Sequence, residues 1–269
     1  MVARSSVSLA SRARHRLRTR VAEYPSVYLP FARRKYPGPS PEVISPETEL
    51  VIDGYTRSAT TFAVYALQLS QPKPVRLAHH LHAPAQLIEA ARRGVPALVL
   101  IREPQGAILS QVVREPWVSV SGALIAYSRF YTCLLPYRDR FVVGEFEQVT
   151  NDFGAVIRRL NTRFGTSFAE FEHTESSVRE VLDFSGLRGT LSRILLGFES
   201  GKVSRAELDK ALADLRAATS LEDREAWVPS ASREDTKRSL RQQWTHPSLA
   251  VLRKRAETVH ENFVGTEQP

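Results

Sequence analysis

Three of the chain's seven histidines, His79, His80 and His82, fall within four consecutive residues. Histidine exchanges a proton near neutral pH, so such a cluster suits general base work. The same three imidazoles could instead ligate a metal or pack as structural side chains. Zinc is disfavoured because the chain has no H-E-x-x-H, no cysteine pair and no evident placed carboxylate. Two further groups suit an anion. Arg57, Ser58, Thr60 and Thr61 crowd into the segment after Val51-Ile-Asp-Gly54, and Arg102 is followed eight residues later by Ser110. Guanidinium and hydroxyl groups donate hydrogen bonds that match phosphate oxygens.

The elements around these residues say how they would be positioned. Glu49–Tyr55 reads as a buried strand running through a small-residue turn into a helix over Thr60–Ser70. That junction aims backbone N–H groups and the positive end of a helix dipole into one space, which suits phosphate, although a Ser/Thr-capped helix start would look the same. G-x-x-x-x-G-K-[ST] is absent, which separates the segment from the phosphate loop of nucleoside triphosphatases. Pro96–Arg102 is the clearest strand and a helix follows over Gln105–Arg114. Arg102 would then stand at a strand's C-terminal end, where open α/β sheets bind ligands, or in an ordinary strand-end turn. Extended backbone through Val75–His82 would put His80 and His82 on one face and His79 on the other.

Strands at Val75–His80 and Phe141–Phe146 and helices at Ala83–Arg93, Val120–Tyr137 and Phe153–Phe164 complete a βα alternation. The expected fold class is α/β, a central parallel sheet flanked by helices. From about Ser176 to 228 the pattern turns helical, with segments at Val178–Leu187, Leu191–Leu196 and Arg205–Ala217; Ser248–Phe263 is a later helix. Phe184, Leu187, Leu195, Leu196 and Phe198 could line an acceptor pocket or pack as core.

The 269 residues are 42% hydrophobic and 25% charged, an ordinary globular composition. The formal charge of +8 is concentrated: residues 1–35 hold nine Arg and Lys against Glu23 alone, and the remainder is balanced. Residues 1–45 therefore read as a basic arm with a Pro-rich connector, and 46–269 as one domain. Positions 5–24 can form a basic amphipathic helix suited to an anionic membrane surface, to organellar targeting, or to neither. A charge confined to an arm gives no reason to expect nucleic acid. No apolar run is long enough to span a membrane and no secretory h-region is evident, so a cytoplasmic location, either free or peripheral to a membrane, is expected. The single Cys133 sits in an apolar stretch and reads as core.

Taken together, Tyr55–Phe62 (Y-T-R-S-A-T-T-F) and Arg102–Ser110 (R-E-P-Q-G-A-I-L-S) resemble the two nucleotide motifs of PAPS-dependent sulfotransferases, Y/T-P-K-S-G-T-T-W and R-x-P-x-x-x-x-x-S. The resemblance covers roughly residues 49–165. It implies a P-loop-like sulfotransferase fold with PAPS (3′-phosphoadenosine 5′-phosphosulfate) as co-substrate and no metal. It further implies that Arg57, Ser58, Ala59, Thr60, Thr61 and Phe62 hold the phosphosulfate end, and that Arg102 and Ser110 hold the 3′-phosphate. Arg233 stands where related proteins return basic residues to the nucleotide, though the usual R-K-G is missing. His82 aligns with the histidine of the family's K-T-H-L-P segment and is the first choice for base, with His80, on its lysine, the second. Arg57 stands for lysine, Ala59 for glycine and Phe62 for tryptophan. Ala59 must avoid positive φ or accept strain, and Phe62 offers less ring area to adenine. The acceptor is a small molecule, a carbohydrate or a lipid with a hydroxyl or amine. The competing readings are a nucleotide-dependent kinase or phosphotransferase and a non-catalytic membrane-associated nucleotide-binding protein.

Overall fold

The computed structural model describes residues 9–37, 40–186, 194, 197–218, 238 and 240–265. Four short strands, β1 (Leu50–Gly54), β2 (Leu77–His79), β3 (Ala97–Ile101) and β4 (Val142–Glu145), pair in parallel in the order β2-β1-β3-β4. Every residue of β1, β2 and β3 is buried, as expected of short apolar runs covered on both faces. Neighbouring strand residues alternate between two cores. Leu50, Ile52, Leu98 and Leu100 pack with Ala63, Val64 and Leu67 of helix Thr60–Ser70 and with Val156, Ile157 and Leu160 of helix Phe153–Phe164. Val51, Val99 and Ile101 face the other way, toward Leu87 and Ile88 of helix Pro84–Arg93 and Leu124 and Tyr127 of helix Val120–Thr132.

The helices are numbered in chain order: α1 (Leu9–Val21), α2 (Pro25–Lys35), α3 (Thr60–Ser70), α4 (Pro84–Arg93), α5 (Pro104–Arg114), α6 (Val120–Thr132), α7 (Phe146–Asn151), α8 (Phe153–Phe164), α9 (Glu175–Gly186), α10 (Arg205–Ala218) and α11 (Ala250–Val264). The chain leaves β1 through α3 to β2 on one side, then returns through α4 on the other face to β3, on the opposite side of β1. The strand order therefore reverses between β1 and β3. In open parallel sheets the crevice at the carboxyl ends of such a strand pair is where ligands bind.

The sheet and most helices follow the sequence pattern, and the differences have local causes. β2 stops at His79 because His80 takes a positive φ of 58°, so the alternation expected through His82 is interrupted. The helix expected to reach Tyr137 ends at Thr132 and continues as a 3-10 turn over Leu135–Arg140; Pro136 in its first turn donates no backbone hydrogen bond. The short α7 buries only Val149, too little apolar surface to stand out as a period. In the C-terminal part Ser204-Arg-Ala-Glu207, which has the residue pattern of a capping box, forms a reciprocal cap, Glu207 Oε2 accepting from Ser204 N at 2.7 Å and Ser204 Oγ from Glu207 N at 3.3 Å. Phe198 is core, buried with Val181 and Leu208 in the cluster that includes α3. Leu187, Leu195, Leu196 and most of Leu191–Leu196 lie outside the described residues, as do Arg233 and the side chain of Phe184.

The basic N-terminal segment folds onto this body. Ala22, Leu29 and Ala32 are buried in the core cluster that contains α4 and α6. Ala85 N donates to Ala22 O at 2.8 Å, Arg18 Nη2 to Leu81 O at 2.9 Å, and Arg129 Nη2 to Glu23 Oε2 at 2.7 Å. Packing is therefore continuous across the composition change near residue 45. No helix of the described residues is long and apolar enough to cross a membrane.

Gly54, the last residue of β1, lies so close to the backbone of β3 that an added Cβ would overlap Leu100 O. Gly54→Ala is expected to lower the unfolding free energy by about 1–3 kcal/mol in urea titration, the usual cost of forced overpacking.

Candidate functional site

Among the described residues, four other than glycine have positive φ: Arg57 (70°), Ala59 (68°), His80 (58°) and His82 (48°). All four lie just beyond the carboxyl ends of β1 and β2. Each such conformation costs on the order of 1–3 kcal/mol and persists only where its surroundings over-determine it. At the histidine turn the over-determining group is Asp53. Its carboxylate is fully buried and accepts from Gly54 N at 2.9 Å, from His82 N at 3.0 and 3.2 Å, and from Gln86 Nε2 at 3.3 Å. A buried charge needs this many donors. One side chain thus fixes the end of β1 to the histidine turn after β2.

The β1–α3 turn leads to the N-terminus of α3, whose N-cap Ala59 supplies no side-chain hydrogen bond. The first backbone N–H groups of α3 accordingly receive no side-chain cap from that residue. Beside them the Thr60 hydroxyl, 4% exposed, makes no protein hydrogen bond, and Ser58 is fully buried. Arg57 Nε donates to Ser110 Oγ at 3.0 Å, joining the β1–α3 turn to α5 across the position where the strand order reverses. Phe62 packs edge-on against Phe153 and Phe171, with the His173 ring 6.0 Å away. Its ring is thus built into an aromatic cluster.

Arg102 follows β3 and lays its guanidinium 3.8 Å from the centre of the Phe146 ring, a cation–π contact. Its Nε lies 3.7 Å from Glu103 Oε1. Glu103 caps α5 by accepting from Gly106 N at 2.6 Å, so one of the first amides of that helix already serves a carboxylate. An anion at this junction would meet side chains: Arg102, and Ser110 together with Arg57. Tyr127 and Tyr131 of α6, together with Tyr55 just after β1, stitch the two strand ends together. Tyr131 Oη accepts from Tyr55 N at 3.2 Å and donates to Leu100 O at 2.8 Å, while Tyr127 Oη donates to Arg102 O at 2.7 Å. Burial pushes the Tyr131 phenol well above its ordinary value, and those of Tyr55 and Tyr127 as well, so all three remain neutral donors. Cys133 is half-buried beside the core, and burial pushes its thiol up to about 12.

The histidines divide between two arrangements. His79 Nε2 is 3.0 Å from Glu199 Oε1, His79 Nδ1 is 2.6 Å from His80 Nδ1, and His80 Nε2 is 3.0 Å from Thr61 Oγ1. A carboxylate only accepts, so neutral His79 carries its proton on Nε2 and accepts at Nδ1 from His80. His80 Nε2 then accepts from the Thr61 hydroxyl. The result is a line of donors running from the start of α3 to a buried carboxylate. His82 stands apart: Nδ1 lies 2.9 Å from Gly54 O, which holds the proton there and leaves the Nε2 lone pair open. With a quarter of its side chain exposed, His82 borders a cavity of about 70 Å³ also lined by His15, Arg18, Tyr55, Gln111 and Glu115.

Asp53, Glu199 and the three tyrosines are members of the site that spacing alone does not single out, whereas His79 belongs to the histidine cluster read from the sequence. Asp53 had a signal, an acid inside an apolar strand; Glu199 had none, since 120 residues separate it from His79. Among the described residues no three His, Cys, Asp or Glu side chains group as a metal centre. The chain matches no protein-family model, no curated protein and no solved structure, so the reading of function rests on this geometry and on the motifs.

Two outcomes are expected from the site's strain and burial. Ala59→Gly removes an αL penalty of about 1 kcal/mol and adds about 0.5 kcal/mol of unfolded-chain entropy, so a net stabilisation of about 0.5 kcal/mol should appear as a higher denaturation midpoint. Burial lowers the His15 pKa from 6.5. The unfolded chain therefore takes up this proton first, and the neutral side chain's share of stability is present above pH 6.5 and lost as pH falls below it. His15→Gln should flatten that part of the stability profile between about pH 7 and 5.

Proposed function

We propose that the chain is a sulfotransferase of the P-loop-like class, moving the sulfonyl group of PAPS to a hydroxyl or amine of a small-molecule, carbohydrate or lipid acceptor. The observation that carries this reading is the Arg57–Ser110 hydrogen bond of 3.0 Å. It joins the two phosphate-type junctions at the crevice where a parallel sheet reverses its strand order. Two anion sites sharing one guanidinium suit a ligand with phosphates at both ends, as PAPS has.

In this scheme the acceptor oxygen attacks sulfur, the bond from sulfur to the 5′-phosphate oxygen breaks, and adenosine 3′,5′-bisphosphate leaves. The acceptor's proton passes to His82 Nε2, whose partner nitrogen is held by Gly54 O. The α3 amides, Thr60, Thr61 and Arg57 meet the charge that develops on the leaving phosphate. Arg57 stays protonated and acts by charge and direction. Arg102 and Ser110 hold the 3′-phosphate, with Ser58 and Ala59 shaping the loop, Phe62 flanking the base, and Arg233 a further cation by resemblance. His80 is the second base: a substrate hydroxyl replacing that of Thr61 at His80 Nε2 would pass its proton into a line ending at Glu199. Positioning and preorganised charge supply most of the rate enhancement.

A kinase would need a carboxylate free to hold magnesium near the phosphates. Asp53 stands nearest the β1–α3 turn in sequence, and its two oxygens already serve Gly54 N, His82 N and Gln86 Nε2.

Calorimetric titration with adenosine 3′,5′-bisphosphate tests the reading. Saturable binding is expected, weakened about 10- to 100-fold in Arg57→Ala and Arg102→Ala, as for lost charge-assisted hydrogen bonds. His82→Ala should leave that affinity unchanged and lower transfer from PAPS to a simple phenol by about 100-fold or more. Preference for ATP with magnesium, or no nucleotide binding at all, would replace sulfonyl transfer with phosphotransfer or with a scaffold.

A further inference from the structure

Helices α1 and α2 each have two faces that the body of the protein does not treat alike. The inward face of α2 is Pro25, Leu29 and Ala32, all buried, at helical spacing against α4. The opposite face would be polar in a helix meant only for water. Instead Val27 is 46% and Phe31 67% exposed, with Tyr24 before the helix at 57% and Leu17 on α1 at 64%. Tyr24, Val27 and Phe31 follow each other at three and four residues, so they line one side. Of the seven large apolar side chains exposed among the described residues, these are four. The same two helices expose Arg14, Arg16, Arg20, Arg34 and Lys35.

An apolar stripe rimmed by guanidinium groups meets two requirements at once. The rings and Leu17 can enter an acyl boundary while the cations remain among anionic headgroups. A purely polar polyanion would satisfy the charges alone, leaving aromatic and aliphatic side chains in water. We propose that the outer face of α1–α2 docks on an anionic lipid surface. The segment folded against the body thereby presents a preformed platform, with no ordering cost left for the bilayer to offset. α1 also has a second role in this arrangement. Its inner face, His15, Arg18, Thr19 and Ala22, lines the His82 cavity, so docking brings that cavity within about one helix diameter, roughly 10 Å, of the lipid. The proposal stands independently of sulfonyl transfer.

The test is co-sedimentation of the full chain with phosphatidylserine-rich vesicles and with pure phosphatidylcholine vesicles. Binding is expected to the first and to be at least about tenfold weaker to the second. The double variant Leu17→Glu, Phe31→Glu should lose at least about tenfold in partitioning, and Arg16→Glu with Arg20→Glu a similar factor. All substituted positions are exposed, and an unchanged thermal midpoint shows that each variant is folded. Phe31→Trp provides a second readout, a blue shift of its emission on phosphatidylserine vesicles. No binding to either vesicle, or binding that Leu17→Glu, Phe31→Glu leaves untouched, overturns the proposal; the latter result would reduce the surface to a patch of charge.

Discussion

The carboxylate of Asp53 is the constraint on which the site's geometry depends. Fully buried, it could not be tolerated without several donors, and the donors it recruits belong to different elements. Gly54 N is the end of β1, His82 N the turn after β2, and Gln86 a side chain on α4 whose own Oε1 accepts from Ile44 N. Satisfying one charge therefore sets the separation of two strand ends and the position of the helix behind them. Because both oxygens are used, the histidine turn has little freedom to slide. That rigidity is what allows His80 and His82 to be held at backbone angles a free chain would avoid.

The same logic continues on the other side of β1. Tyr131 ties the turn after β1 to the end of β3 through a phenol buried enough to remain protonated. Arg57 crosses to Ser110. The carboxyl ends of three strands are thus bound to one another by side chains, while the strands contribute mainly buried apolar surface. Strain collected at these ends is offset by burial elsewhere, as the fully enclosed β1 and β3 illustrate.

Charge and packing act separately in the N-terminal segment. Its arginines make it distinct in composition, but Ala22, Leu29 and Ala32 place it in the core. Arg18 and Glu23 serve as internal connectors to Leu81 and Arg129. A segment can be strongly basic and still be a structural layer, because a helix needs only one apolar stripe to be buried. What remains outward carries both the excess charge and the exposed rings.

Local sequence dictated the alternation of buried strands and amphipathic helices, because apolar periodicity and turn residues act over a few neighbours. It also determined which side chains could bear chemistry, and the helix over Thr60–Ser70 and the cap at Ser204 were legible for the same local reason. It did not determine how those side chains are shared out. The end of β2 at His79, the pairing of Arg57 with Ser110, the burial of the basic segment and the line from Thr61 through His80 and His79 to Glu199 required the tertiary structure. Each is a hydrogen bond or packing contact between residues distant in the chain, or a backbone angle held by such contacts. Their energies depend on distance in space, which periodicity does not encode. Only the folded sheet, by reversing its strand order beside β1, brings those groups to one crevice.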